Sequence, residues 1–368
     1  MVILFIDVIA IAAAWLICIN ANAIGRRLMI MDHPDNARKT HSVPTPLVGG
    51  IGILVPLLIW IVGAVMAGVL RDQQFAAMVV LCASGVGLAG FADDQTNTTP
   101  LSRILALLVF LGVAMALTPD LIAHSLNWGS FDPTPLPPPF YAALIALTAA
   151  GIVNAVNMAD GQNGLVPGMF VIWSISLVLS VDPLIVPVAG IIAAAAFVVL
   201  VFNLQGKLFL GDCGSYGVTF VLGVLALTAY AHGHISIETV TVWFYIPVAD
   251  CLRLISTRRL QGRSPFEPDK NHFHHRLQGK LGQRYGLVAY LACVAATSLI
   301  AVIAPRFTLV CLIVLTAVYF SFAFLTDSES VAKADGKENA LPQKEGSAEF
   351  SNVVHLDPSQ TPQMRETA

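Results

Sequence analysis

The chain has 368 residues, 56% of them hydrophobic and only 12% charged, with a formal net charge of −3 and a mean hydropathy of +0.74. That is too apolar for a soluble protein of this length, and apolar runs long enough to cross a bilayer recur along it. The net charge says little, because in a membrane protein the distribution of basic residues between loops carries the signal.

The first apolar segment, Val2 to about Asn20, lacks a basic n-region and is followed by Arg26 and Arg27. It reads as a retained first helix with its C-terminal end in the cytoplasm, not as a cleaved signal. Further spans are predicted near 47–70, 75–92, 101–118, 139–158, 165–181, 184–203, 215–232, 239–256, 286–304 and 307–325. The expected fold class is therefore all-α, a polytopic integral membrane protein with about eleven transmembrane helices. The odd count puts the N-terminus outside and the C-terminus in the cytoplasm. Six cysteines form no CxxC pair and read as small buried hydrophobes.

Loop charges orient the bundle. If the 21–46 loop is cytoplasmic, connections on that side hold fourteen Lys and Arg, against only Arg71 and Arg306 opposite, leaving the C-terminal tail aside. The Pro119–Pro139 loop has no Lys or Arg and is Pro-rich, which suits an external extended connector. After about Thr326 the chain turns polar and charged, so residues 1–325 are expected to form the transmembrane domain and 326–368 a disordered cytoplasmic tail.

Four polar clusters fall on the cytoplasmic side: Asp93 and Asp94 in GFADDQTN; Asn154, Asn157 and Asp160 in VNAVNMADGQNGL; Asp212 in FLGDCGS; and His272, His274 and His275 in PFEPDKNHFHHRL. A pair of aspartates can be a solvated helix end, but here it follows a Gly-rich apolar span, where ionised groups are costly unless paired or metal-bound. Asp212 can be an ordinary cap of a helix starting near Ser215, or a carboxylate serving a metal and phosphate at a helix N-terminus. The histidines suggest zinc by spacing, yet no cysteine lies near in the loop and the flanks are basic, so a hydrogen-bonding cradle for diphosphate or nucleotide fits better. For several of the arginines, positive-inside topology is a sufficient account. Carboxylates and amides without thiolates favour a hard cation such as Mg²⁺, which keeps waters and bridges phosphates. Phosphoryl chemistry at a membrane surface follows.

At this point the motifs resemble those of the polyprenyl-phosphate N-acetylhexosamine-1-phosphate transferases, the superfamily that includes the phospho-N-acetylmuramoyl-pentapeptide transferases. The resemblance runs in order through DHPDNARKTHSVPTPLVGG (32–50), GFADD (90–94), NAVNMADGQNGL (154–165), FLGDCGS (209–215) and SPFEPDKNHFHHRL (264–277). The last motif looks like the branch that initiates O-antigen and related envelope glycans, since three consecutive histidines are absent.

The resemblance implies transfer of an N-acetylhexosamine 1-phosphate, GlcNAc by default, from a UDP-sugar to undecaprenyl phosphate, releasing UMP, with Mg²⁺ or Mn²⁺ required. It implies Asp93, Asp94 and Asp212 as catalytic residues, with Asp212, Asp94 and Asp160 at the metal. Asn154, Asn157, Asp160, Asn163, Phe209, Lys39, Arg263, His272, His274 and His275 would contact substrate, Phe209 at the uracil and the histidines at the diphosphate. The expected setting is a bacterial inner membrane, with undecaprenyl phosphate, a UDP-N-acetylhexosamine and the bilayer as partners; a homodimer is allowed for, and nucleic acid is not expected.

Two departures stand out. Asn163 replaces a second aspartate common in the family, and the first basic residue after the aspartate pair is Arg103 where a lysine is often found sooner. A transporter with a polar ion site is the alternative class, but it predicts acids near the bilayer midplane and repeated halves, which this sequence lacks.

Overall fold

A computed structural model of the chain describes residues 1–34, 43–121, 125–126, 134–264 and 271–338. By internal contacts it divides into Met1–Ala323 and Phe324–Ala368, and all that follows concerns the first unit except the end of the last helix. Among the described residues the helices are α1 (Val2–Ile19), α2 (Ala21–Arg27), α3 (Gly49–Met66), α4 (Gln73–Thr96), α5 (Pro100–Leu117), α6 (Pro138–Ala159), α7 (Leu165–Leu179), α8 (Ile185–Leu204), α9 (Gly211–Ala231), α10 (Ile237–Leu260), α11 (Phe273–Leu281), α12 (Gln283–Ile303) and α13 (Thr308–Glu338). Two short antiparallel ribbons pair Met31–Asp32 (β1) with Thr45–Pro46 (β2), and Ser125–Leu126 (β3) with Thr134–Pro135 (β4).

Among the described residues ten helical segments are long and apolar enough to cross a membrane: α1, α3 to α6, α8 to α10, α12 and Pro305–Thr326. The eleventh apolar helix, α7, has 15 residues, about 22 Å at the helical rise and short of a bilayer core. The all-α, multi-pass class expected from the apolar runs is thus the class observed.

Local chemistry sets the helix ends. Asp72 caps α4 by accepting the Phe75 N–H at 2.9 Å, Thr99 caps α5 with Pro100 in the first turn, and Ser236 caps α10. Asn97, left-handed at φ 49°, stops α4. Three of the boundaries that differ from the predicted spans bear on the site or the tail. α4 continues to Thr96, so Asp93 and Asp94 lie inside its last turns. α9 starts at Gly211 and not near Ser215, which puts Asp212 in the first turn. α13 continues past 326 to Glu338, while 339–368 lies outside the described residues. At Asp93 and at Thr326 the hydropathy window ended at the first polar residue, whereas backbone hydrogen bonding carried the helix on.

Helix α9 is buried along nearly its whole length, whereas α1, α5, α6, α12 and the Pro305–Thr326 segment keep most of their surface outward. In a lipid solvent, packing and not water exclusion holds helices together, and small residues permit close approach. Gly50 on α3 rests on the backbone of Gly214, and Gly90 on α4 rests on the carbonyl of Asp212; neither contact leaves room for a Cβ. The two leading N–H groups of α3 are satisfied from across the bundle, Gly49 donating to the Phe209 carbonyl at 2.9 Å and Gly50 to the Leu210 carbonyl at 2.8 Å. The segment that launches α9 is thereby locked between α3 and α4.

Candidate active site

Where α4 ends and α9 begins, the two adjacent aspartates have separate tasks. Asp94 accepts the backbone N–H of Asp212 at 2.7 Å and of Cys213 at 3.0 Å, one oxygen each. It is an N-terminal cap supplied by another helix, with a carboxylate facing the positive end of the α9 dipole. Asp93 is buried. Its Oδ1 receives the Thr98 N–H at 2.7 Å, the Thr98 hydroxyl at 2.9 Å and Arg103 Nη2 at 2.9 Å. Its Oδ2 receives the Tyr216 hydroxyl at 3.1 Å, with Arg103 Nε 2.9 Å away as an ion pair without hydrogen-bond alignment. Arg103 Nη1 also donates to Tyr216 Oη at 3.1 Å. Asp93 therefore ties α4, α5 and α9 together, and both of its oxygens are occupied.

The Asp212 side chain faces the end of α6. Asn157 Nδ2 donates to Asp212 Oδ1 at 2.6 Å and to Ser215 Oγ at 2.9 Å. Asp160 follows as the residue that ends α6. Burial, and then the charge of Asp94, push its carboxyl up to about 7. Asn154 turns away, donating to the Ala150 carbonyl one turn back at 2.8 Å, so the structure does not bring it to the centre. The 160–164 turn is pinned by Asn203, which accepts the Gly164 N–H and donates to the Leu208 carbonyl at 3.0 Å. Asn163 sits in this turn, facing Gly206.

The histidines close the other side. Any Cβ on Gly161 would lie 3.0 Å from His274 Nε2 and 3.8 Å from His275 Nε2, so the two rings converge on the Asp160–Gly161 turn. His272 and His274 stack at 5.5 Å and 16°, and His274 and His275 lie 4.2 Å apart. His274 is buried with no partner for Nε2. Burial, then the neighbouring His275 and His272, hold its imidazole down at about 3, so it is neutral at working pH. Phe209 is placed by its backbone, donating to the Pro46 carbonyl at 2.9 Å. Arg263 stands beyond α10, its N–H on the Arg258 carbonyl at 2.8 Å. Lys39 lies outside the described residues.

Among the described residues no three His, Cys, Asp or Glu side chains are set to hold a metal by themselves. The carboxylates that lie here are hard oxygen donors, of the kind Mg²⁺ takes one or two at a time with water and phosphate oxygens completing its shell. A cation beside Asp160 would favour its ionised form against the burial, and the lesser effect of the Asp94 charge, that raise its carboxyl. Asp212 and Asp160 are the side chains that fit that role, because both Asp94 oxygens already bind backbone N–H groups.

Sequence reasoning passed over Arg103 as a partner of Asp93, considered Ser215 only as a helix cap and not as the acceptor it is for Asn157, and missed Tyr216 and Asn203 altogether. Signals existed: a polar Asn203 in the apolar run VVLVFNL, and a tyrosine directly after GDCGS. Neither says which carboxylate it meets.

Fold and site define a multi-pass membrane protein whose acids, amides and histidines gather at one end of its helices. Residues 76–230, from α4 to α9, match the model of glycosyl transferase family 4. The chain is 25% identical over 340 residues to the undecaprenyl-phosphate alpha-N-acetylglucosaminyl 1-phosphate transferase of Yersinia pestis, covering 85% of this chain and 87% of that one. Proteins of the same name are 29% identical over 311 residues in Salmonella typhimurium, covering 77% of each chain, and 28% over 270 residues in Escherichia coli K12, covering 69% of this chain and 71% of that one. These similarities bear out the resemblance carried by the five motifs.

Proposed function

We propose that this chain is a Mg²⁺-dependent transferase that moves N-acetylglucosamine 1-phosphate from UDP-GlcNAc to undecaprenyl phosphate on the cytoplasmic face of a bacterial inner membrane, with its N-terminus outside. A lipid-phosphate oxygen attacks the phosphorus next to the sugar, the bridge to the α-phosphate breaks, and UMP departs. The observation that carries the reading is the hydrogen bond of Asn157 to Asp212 beside the Asp160–Gly161 turn faced by His274, which unites three separate motifs.

The chain's own residues set the geometry. Asp94 fixes the start of α9 and hence the direction of Asp212. Asn157 orients the Asp212 carboxylate, and the neutral imidazole of His274 offers Nε2 to the donor diphosphate. Phe209 is assigned to the uracil and Asn163 to the nucleotide, with Arg263 and Lys39 as cations for phosphate. Asp212 and Asp160 would hold Mg²⁺, which would supply charge neutralisation for the transferring group. Positioning accounts for much of the remaining acceleration, since phosphate itself is the nucleophile.

The test is UMP release from purified protein with undecaprenyl phosphate and a panel of UDP-sugars, with Mg²⁺ and with a chelator. Metal-dependent release with UDP-GlcNAc is expected. Release only with UDP-FucNAc, UDP-QuiNAc or UDP-MurNAc-pentapeptide would keep the reaction and change the sugar. No release from folded protein with any donor, together with solute uptake into vesicles, would replace this reading with a transporter.

A further inference from the structure

Asp250 lies inside α10, a membrane-spanning helix, and is buried. An ionisable group in such a helix is costly unless satisfied. Here the satisfaction comes from three directions. Oδ1 receives Arg253 Nη2 at 2.8 Å, the Tyr319 hydroxyl of α13 at 2.8 Å and the Phe273 N–H at 3.1 Å. Oδ2 faces His272 Nδ1 at 3.0 Å and shares the Phe273 N–H at 3.1 Å. Arg253 also donates from Nη2 to the Asn271 carbonyl at 2.7 Å and from Nε to Tyr319 Oη at 2.9 Å. A carboxylate surrounded by these donors is an acceptor only, so Nδ1 of His272 must carry the proton. Nε2 of that ring is then fixed on the opposite side. The same carboxylate caps α11 through Phe273, and the His272 ring stacks on His274, whose Nε2 faces the Asp160–Gly161 turn.

We propose that Asp250 is a positioning residue for the histidine segment: its carboxylate sets the tautomer and direction of His272, and through the stack holds His274 against the Asp160–Gly161 turn. It touches no reacting atom. The effect rests on the reading that the histidines meet the donor diphosphate, so nucleotide-sugar affinity should depend on Asp250 while acceptor affinity should not. An outer carboxylate that orients a histidine commonly governs what that histidine binds.

The experiment compares wild type with Asp250→Asn, Asp250→Glu and Tyr319→Phe in steady-state UMP release. For Asp250→Asn we expect KM for UDP-GlcNAc to rise at least about tenfold, with KM for undecaprenyl phosphate within about twofold of wild type. Partial return of the donor KM is expected in Asp250→Glu, and a smaller rise in Tyr319→Phe, which keeps the carboxylate and loses one donor. Equal changes in both KM values, or an unchanged donor KM in folded protein, would overturn the proposal. A second measurement stands apart from activity: the ¹⁵N spectrum of histidine-labelled wild type, with His272 assigned by its loss in His272→Gln. A protonated Nδ1 is expected; a ring protonated on Nε2 alone would overturn the proposal even if Asp250→Asn fails to fold. Should wild type release no UMP, the functional reading falls while this spectrum still judges the Asp250–His272 pair.

Discussion

Asp94 accepts the backbone N–H of Asp212 across the gap between α4 and α9 at 2.7 Å, so one acid of the site is the mount of another. The second Asp94 oxygen takes the Cys213 N–H at 3.0 Å. Replacing Asp94 with Asn would turn an amide NH₂ toward one of these N–H groups and leave it unmatched. We expect Asp94→Asn to lose about 1–3 kcal/mol of stability and most UMP release, measured by thermal unfolding in detergent alongside turnover. A variant with wild-type melting and wild-type rate would remove Asp94 from this position.

Asp212 has a different prognosis, because its side chain faces Asn157 at the end of α6 and caps no helix. Asp212→Asn should insert and melt like wild type, yet lose at least about a hundredfold in turnover, as expected for a group acting on transition-state charge. Near-normal activity at saturating Mg²⁺ would take it out of the proposed metal site.

Gly90 presses on the Asp212 carbonyl with no room for a Cβ. Gly90→Ala forces α4 and α9 apart, at about 1–3 kcal/mol for overpacking a fitted contact. Turnover should fall with stability, since the shift moves Asp212 itself. Unfolding and UMP release measured on the same sample would show whether the two losses coincide.

Arg103 neutralises Asp93, which is buried among Thr98 and Tyr216. Arg103→Ala leaves that carboxylate without its charge partner, at about 3 kcal/mol. Adding Asp93→Asn to Arg103→Ala should recover much of the lost stability. Additive losses in the double variant would mean the two residues act separately.

Asp160 makes the site sensitive to pH. Its carboxyl is pushed up to about 7 in the folded protein, against about 3.9 in an unfolded chain. A raised carboxyl means the native state binds the extra proton, so its contribution to stability is full below about pH 4 and is lost as pH rises through about 7. Without divalent cation, Asp160→Asn should therefore melt above wild type at pH 8, with the gap closing toward pH 5. A gap that does not change with pH would show that Asp160 does not titrate there.

The site was legible in the sequence as residue types and not as roles. Asp93 and Asp94 are adjacent letters, equal on the page, yet one joins Arg103 and Tyr216 and the other caps α9. Asn154 and Asn157 have the same chemistry three residues apart, but only Asn157 reaches Asp212 while Asn154 bonds its own helix. Spacing along one helix did not distinguish them, because the deciding partner lies on another helix.

What the sequence by itself determined is the membrane class, the apolar helices and the set of groups available for chemistry. A helix in lipid must satisfy its backbone within its own segment, so hydropathy along the chain is enough to reveal it. Only the tertiary structure decided which carboxylate caps a helix, which faces the end of α6, and what orients the histidines. A carboxylate's role is set by the donors around it, and Tyr216 for Asp93, Cys213 for Asp94 and Tyr319 for Asp250 all come from remote parts of the chain that meet only when the helices pack.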